Sequence, residues 1–426
     1  MLNITLFIIF LVLLILGTPI AFALLGASSI YILYMDVPLG LMGHVMAHSI
    51  DSFILIALPL FILAAKLMEE AKITDRIMEF SNDIVGWIPG GLGHVNVFGS
   101  MIFAGMSGSA VADAGGLGSM ELAMMKKAGY DEEFSVAVTV SSATIGPILP
   151  PSLFFILYGA ICQVSVGKLF LAGAIPGVLL GIAIMIRVYF HALKHDYPRS
   201  SFPKMKQFFH STKRAFLPCM TPVIIIAGIA SGIFTPTEAA AVACLYAVIL
   251  GKVIYRTLSW TAFYRSVIYS VNLTAVVAFI IAVAGLFAWI LTAEGLTTGF
   301  ADFMFSITDN KWAAMGIFIF LFLILGMFIE EAAIMIMTLP IIYPLLANYE
   351  IDPVHFGVVT TLTLMIAMLT PPFGLLLFVM SAITGRSPMW VFKASYTYIL
   401  PIFITLLLIA FIPIITLWLP NLLMGN

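Results

Sequence analysis

Gly105-Met-Ser-Gly-Ser-Ala-Val-Ala-Asp113-Ala-Gly-Gly-Leu-Gly118 holds the one charge between Asp83 and Glu121. Small residues let helices approach closely, and that accounts for the glycines. It does not account for Asp113. An acid at bilayer depth costs about 2.5–3.5 kcal/mol on insertion scales, so it marks a functional position. Ser107-Gly108-Ser109 falls where the tip of a hairpin is expected. Hydroxyls and unwound carbonyls at such a tip suit a cation, and two meeting helix N-termini suit an anion.

The surrounding composition sets the class. The chain has 426 residues, of which 62% are hydrophobic and 9% charged, against a usual ~45–50% and ~25%. Mean hydropathy is +1.13. A soluble protein cannot hide that much apolar surface, so the chain reads as an all-α polytopic membrane protein. A net charge of −2 without a basic, aromatic-laced patch excludes a nucleic-acid binder. Cys162, Cys219 and Cys244 have no CxxC spacing and read as small core hydrophobes. His44, His48 and Asp51 read as a membrane-interface loop rather than a metal face. No GxxxxGK[ST] motif is present, so no nucleotide is expected as cofactor. The first apolar run has no positive leading region, so no cleavable signal peptide is expected.

Charge-free runs of about 20 residues mark spans. Gly17-Thr18-Pro19 is expected to break the first run into two short helices. Seven of the nineteen basic residues (Arg187, Lys194, Arg199, Lys204, Lys206, Lys213 and Arg214) cluster in one loop, which is therefore cytoplasmic. Parity then puts Lys66, Lys72, Arg76, Lys126 and Lys127 inside, so 84–125 enters and leaves on one side, as a re-entrant hairpin or a pair of spans. The 347–353 loop has acids and no bases and reads as outside, so 312–347 behaves likewise from the outer face. Both termini are expected outside, in the periplasm. The division expected is 1–83, first scaffold and arm helices; 84–190, first transport unit; 191–214, cytoplasmic basic loop; 215–310, second scaffold and arm helices; 311–426, second transport unit.

Two stretches align at an offset of 221. Gly105-Met106 matches Gly326-Met327, Pro150-Pro151 matches Pro371-Pro372, and Asp131 matches Asp352. With opposite orientations these form an inverted repeat, typical of secondary transporters with a midplane site. Ser141-Ser-Ala-Thr-Ile-Gly-Pro-Ile-Leu-Pro-Pro-Ser152 is the first broken span. Each proline frees the carbonyl four residues back, here those of Ala143, Gly146 and Pro147. Such carbonyls need a partner at membrane depth. A bound Na+ supplies one; a plain kink is the alternative. Ser107 and Gly108 join this candidate sodium set. Met368-Leu-Thr370-Pro371-Pro372-Phe-Gly374 is the second broken span, freeing Ala367 and Met368 and adding the Thr370 hydroxyl. Phe328-Ile-Glu330-Glu331 puts two acids at the second tip, Glu330 aligned with Ser109. In Gly232-Ile-Phe-Thr235-Pro-Thr-Glu238-Ala-Ala-Ala241, Thr235 and Glu238 read as a helix cap, and that reading suffices physically.

These motifs, with Leu-Phe-Leu-Ala-Gly-Ala-Ile-Pro-Gly at 169–177, resemble the large membrane subunit of tripartite ATP-independent periplasmic (TRAP) transporters over nearly the whole chain. The resemblance implies a sodium-coupled importer of organic acids in the bacterial inner membrane. It implies two re-entrant hairpins in a mobile domain that moves as an elevator, with about ten crossings besides. It also implies two partners, a small four-helix membrane subunit on a separate chain and a periplasmic substrate-binding protein. By motif, Ser107, Ser109, Asp113, Glu238 and Glu330 fall at positions the family treats as functional. The chain is similar to the unfused sialic acid branch.

Two other classes stay open: a stand-alone sodium–dicarboxylate or anion symporter needing no binding protein, and a membrane enzyme, for which no convergent catalytic set is visible. Two or more co-transported Na+ are expected. Moving a monoanion into a cell at about −100 mV costs ~2.3 kcal/mol, which one Na+ only cancels.

Overall fold

The computed structural model describes residues 6, 8–10, 12, 13, 16–195 and 197–425. Among these there is no strand. The first helix after Gly17-Thr18-Pro19 is α1 (Ile20–Tyr34), opened by Pro19, so the expected break is present. The rest of the expected first span and the N-terminus lie largely outside the described residues.

The chain continues through α2 (Leu39–Ile50), α3 (Ala57–Glu70), α4 (Thr74–Val85) and α5 (Gly91–Ser107). After α5 it turns at Gly108-Ser109 and returns through a short turn, a π-helical stretch at Asp113–Leu117 and α6 (Gly118–Lys127). Then follow α7 (Glu132–Ser142), α8 (Leu153–Cys162), α9 (Val166–His195), α10 (Met205–Ala230), α11 (Pro236–Val248) and α12 (Trp260–Ala293). The chain ends with α13 (Leu296–Ile307), α14 (Lys311–Gly326), α15 (Glu331–Asn348), α16 (Pro353–Ala367), α17 (Leu375–Thr384), α18 (Pro388–Phe411) and α19 (Ile414–Met424).

Among the described residues six helices are long and apolar enough to cross a bilayer unaided, or eight if two bent pairs count as one span each. About ten crossings were expected. The difference comes from interruption: α7–α8 and α16–α17 are half-length helices separated by the Pro-Pro segments, which lack the N–H groups a continuous helix needs. The basic loop is also shorter than 191–214, because α9 runs on to His195 and α10 begins at Met205.

The repeat is visible in the helix bounds. α4 recurs 222 positions on as α13, α7 recurs 221 on as the start of α16, and α8 recurs 222 on as α17. Local chemistry recurs with it. Asp131 accepts from the Phe134 amide at 2.7 Å, and Asp352 accepts from those of Val354 and His355 at 2.8 and 3.0 Å. Each Asp thus satisfies donors that a helix start leaves orphaned. Both Pro-Pro peptide bonds are cis. Two elements depart: α12 runs unbroken where α2 and α3 bend by 62° at Asp51-Ser52, and α9 runs unbroken where α18 ends at Phe411 and α19 begins at Ile414.

The two units interlock. The returning limb of hairpin 1 packs on α17, and α15 of hairpin 2 packs on α8, so each hairpin leans on the other repeat's broken span. Fully buried Tyr158 ties the units by donating to the Pro353 carbonyl at 2.7 Å. Around this core, α3 packs against both α11 and α12 as a wall, and α12 also packs on α15 of hairpin 2. Large apolar side chains such as Leu33, Phe216, Val271 and Leu400 face outward, as lipid-facing surface does.

Candidate functional site

A cavity of about 500 Å³ lies where the two units meet that wall. Its lining includes both hairpin tips, through Ser109 and Glu330, and both broken spans, through Leu153 and Met368. The opposite side is built by Lys66 and Glu69 of α3 and Tyr269 of α12. A second cavity of about 730 Å³ lies elsewhere, between the Asp51-Ser52 bend, the end of α8, α12 and α15.

Hairpin 1 positions its residues tightly. Gly108 takes φ +60°, a left-handed conformation open to glycine at no steric cost. A Cβ there would also collide with the Pro151 carbonyl. The Gly108 carbonyl accepts from the Leu153 amide at 3.4 Å, so the tip is stitched to the first broken span. In hairpin 2 the Phe373 amide makes the matching bond to Met327 at 3.0 Å. Ser109 accepts weakly from the Ala112 amide at 3.4 Å while lining the cavity.

Asp113 is buried. Its Oδ1 accepts from the Ser107 hydroxyl. Its Oδ2 is buried without a partner among the described residues. That oxygen lies against Gly146, where a Cβ would strike it. The structure therefore brings Ser107, Asp113 and Gly146 together, one from each limb of hairpin 1 and one from the first break. An orphaned, buried carboxylate oxygen is costly unless a cation or proton meets it, and a hard cation takes oxygen ligands of this kind. A polar network holds the break in register with α5: Asn96 donates to Thr139 at 2.8 Å, and Ser142 donates to Asn96 at 2.7 Å.

Three of the carbonyls expected to be free have a donor. Ala143 accepts from Gly146 at 3.3 Å, Pro147 from the Ser152 hydroxyl at 2.6 Å, and Ala367 from Thr370 at 2.9 Å. Each keeps one lone pair. The Thr370 hydroxyl donates back to Ile366 at 2.8 Å. Met368 lines the cavity.

In hairpin 2, Glu330 caps α15 by accepting from the Ala333 amide at 3.0 Å. Glu331 is buried beside it. Glu238 stands apart. It is exposed, does not line the cavity, and completes a capping box with Thr235, whose amide donates to it at 2.8 Å. Among the described residues no group of three or more His, Cys, Asp or Glu side chains forms a metal cluster, so His44, His48 and Asp51 do not make one.

The wall was not anticipated as part of a site. Lys66 lies 2.7 Å from Glu69, 3.9 Å from Glu70 and 5.5 Å from the centre of the Tyr269 ring. The available signal was a base set one turn inside the end of the apolar α3.

A family model described as "Tripartite ATP-independent periplasmic transporter, DctM component" matches residues 7–415. The sialic acid TRAP transporter large permease protein SiaM of Vibrio cholerae is 43% identical, over 96% of both chains. The sialic acid TRAP transporter permease protein SiaT of Haemophilus influenzae is 39% identical, over 97% of this chain and 68% of its own length. The C4-dicarboxylate TRAP transporter large permease protein DctM of Pseudomonas aeruginosa is 34% identical, over 87% of each. Among solved structures, the YdaH transporter of Alcanivorax borkumensis shares the fold, with a TM-score of 0.63 at 15% identity over 87% of this chain and 88% of that one.

Proposed function

The chain belongs to the tripartite ATP-independent periplasmic transporters as a DctM-type large permease, and on that premise we propose that it imports an organic acid anion, sialic acid first among the candidates, driven by sodium. The observation that carries this reading is the cavity of about 500 Å³ into which both hairpin tips and both broken spans converge. That size is ordinary for a small-molecule site. Sialic acid leads because the 43% and 39% identical relatives are named for it.

In this reading sodium is cargo. Ser107, Asp113 and the carbonyls around Gly146 receive one ion, and the second unit, through Met368 and Thr370, receives another. Two ions per monoanion make the cycle electrogenic, adding ~2.3 kcal/mol of drive per 100 mV for the extra charge. The substrate sits between Ser109 and Glu330 on one side and Lys66 on the other, where the ammonium exchanges its Glu69 partner, 2.7 Å away, for the substrate carboxylate. The hairpins and broken spans travel together as an elevator against α3, α11 and α12. A periplasmic binding protein delivers the substrate, a small four-helix membrane subunit braces the wall, and the assembly lies in the inner membrane with both termini in the periplasm.

The test is uptake of labelled sialic acid into proteoliposomes holding this chain and its small subunit. Arms with and without the binding protein, and with choline replacing Na+, complete it. Uptake is expected only with both. Equal uptake in choline overturns sodium coupling, and equal uptake without the binding protein favours a stand-alone symporter.

A further inference from the structure

We propose that a groove between α9 and α18 is a binding site for one anionic phospholipid in the leaflet at the basic end of α9. The groove has a volume of about 420 Å³ and lies away from the cavity described above. Its lining includes the apolar Ala183, Leu400 and Ile404 together with Arg187, Phe190 and Tyr396.

The depth of Arg187 follows from the helix. Lys168 and Arg187 bracket the charge-free run 169–186 on α9. Their separation along the axis is roughly 28 Å at ~1.5 Å per residue, close to the ~30 Å of a bilayer's hydrocarbon core. Arg187 therefore sits at headgroup level, and Ala183, one turn back, sits in the acyl region. The partner helix agrees. α18 begins at Pro388 beside Arg386, so Tyr396 lies nearer the surface and Ile404 two turns deeper. Phe190 and Tyr396 are more than half exposed, as aromatics at a membrane interface are.

The charge at the mouth selects the ligand. Among the described residues no carboxylate oxygen pairs with Arg187; its guanidinium lies over the ring of Tyr398, 5.1 Å from the centre. The Tyr398 hydroxyl is buried and has no partner among the described residues. Lys194 is seven residues on and so on the same helix face, adding a second positive group towards the surface. An apolar trough capped by unpaired basic groups matches an acyl chain with a phosphate above it, the chemistry by which basic pockets between helices hold anionic lipids. A zwitterionic lipid brings its own cation to the same place and gains less.

The test uses the full chain with its small subunit, in nanodiscs of phosphatidylcholine holding a minor fraction of phosphatidylglycerol, released for native mass spectrometry. Wild type is expected to retain phosphatidylglycerol about fivefold over its share in the disc, the ratio one basic residue at the surface gives. Arg187→Gln should abolish that preference, and Arg187→Lys should keep it. Ile404→Trp fills the trough and should release the lipid although Arg187 remains. Equal retention of the two lipids by wild type, or an unchanged preference in Arg187→Gln, overturns the proposal. A photoactivatable residue at Leu400 guards against variants that fold poorly. Crosslinks to lipid are expected, and crosslinks to the small subunit instead mean that the groove is a protein interface and the proposal is wrong.

Discussion

The two hairpin tips occupy matching places in the repeat, and each buries one acid, Asp113 in the first and Glu331 in the second, but only the second adds a carboxylate at the tip itself. Hairpin 1 hides Asp113 beneath the tip, bonded to Ser107 and pressed on Gly146. Hairpin 2 places Glu330 at the tip, exposed to the cavity, where it caps α15. A repeated backbone therefore does not imply two copies of one site. The first tip is arranged as an enclosed oxygen cradle, and the second presents a carboxylate to whatever fills the cavity.

That contrast predicts a ranked series of effects. Asp113→Ala should reduce sodium-driven uptake by about a hundredfold, since two charge-assisted contacts are worth roughly 3 kcal/mol or more together. Ser109→Ala should fail similarly. Gly146→Ala should behave like Asp113→Ala, because the added methyl lands on the carboxylate. Near-normal uptake by these variants at normal expression would remove the cradle from the mechanism. Glu330→Gln should be milder and opposite in sign. Its half-saturating concentration for an anionic substrate is expected to fall by up to about fivefold, because a carboxylate facing the cavity opposes the anion across solvent, with sodium dependence retained. If Glu330→Gln instead abolishes sodium dependence, the two tips share one role and the contrast collapses.

Smaller effects sharpen the picture. Lys66→Gln should weaken substrate affinity by up to about fivefold, the ceiling for a solvated ion pair. The loss should be confined to anionic substrates, so an equal loss for a neutral analogue would assign Lys66 a packing role. Wild-type uptake should show a sodium Hill coefficient above one and should quicken when valinomycin sets an inside-negative potential. A coefficient near one with no response to potential leaves a single ion-binding unit. Glu238→Ala should lower the melting temperature by a few degrees and leave uptake within about twofold of wild type, as loss of a surface capping box does. A larger transport defect would restore the functional role that the motif alone suggests.

The membrane class, the repeat and the singular position of Asp113 were legible in sequence because their signals are local, whereas the meeting of Asp113 with Gly146 was not. A lone Asp113 in an uncharged run and paired Pro-Pro segments need no tertiary information. Carbonyl satisfaction was not legible. That Ser152 reaches back to Pro147 depends on how the chain turns after the break. Nor was the wall of the cavity. Lys66 and Tyr269 are 203 residues apart in numbering, and each looks like the ordinary edge of a span. At Glu238 the helix cap read from the sequence is present, and the residue is not among those lining the cavity.

The unbroken α12 carries one more consequence. Its charge-free stretch, 266–293, is roughly 42 Å long at ~1.5 Å per residue, well beyond a hydrocarbon core of about 30 Å. Such hydrophobic mismatch is absorbed by tilting the helix or thickening the lipid around it. Tyr269, Leu273 and Val277 of that stretch line the cavity. The inclination of α12, and with it the width of the cavity, is therefore coupled to bilayer thickness, so that short-chain and long-chain lipids should tune the same protein to different turnover rates.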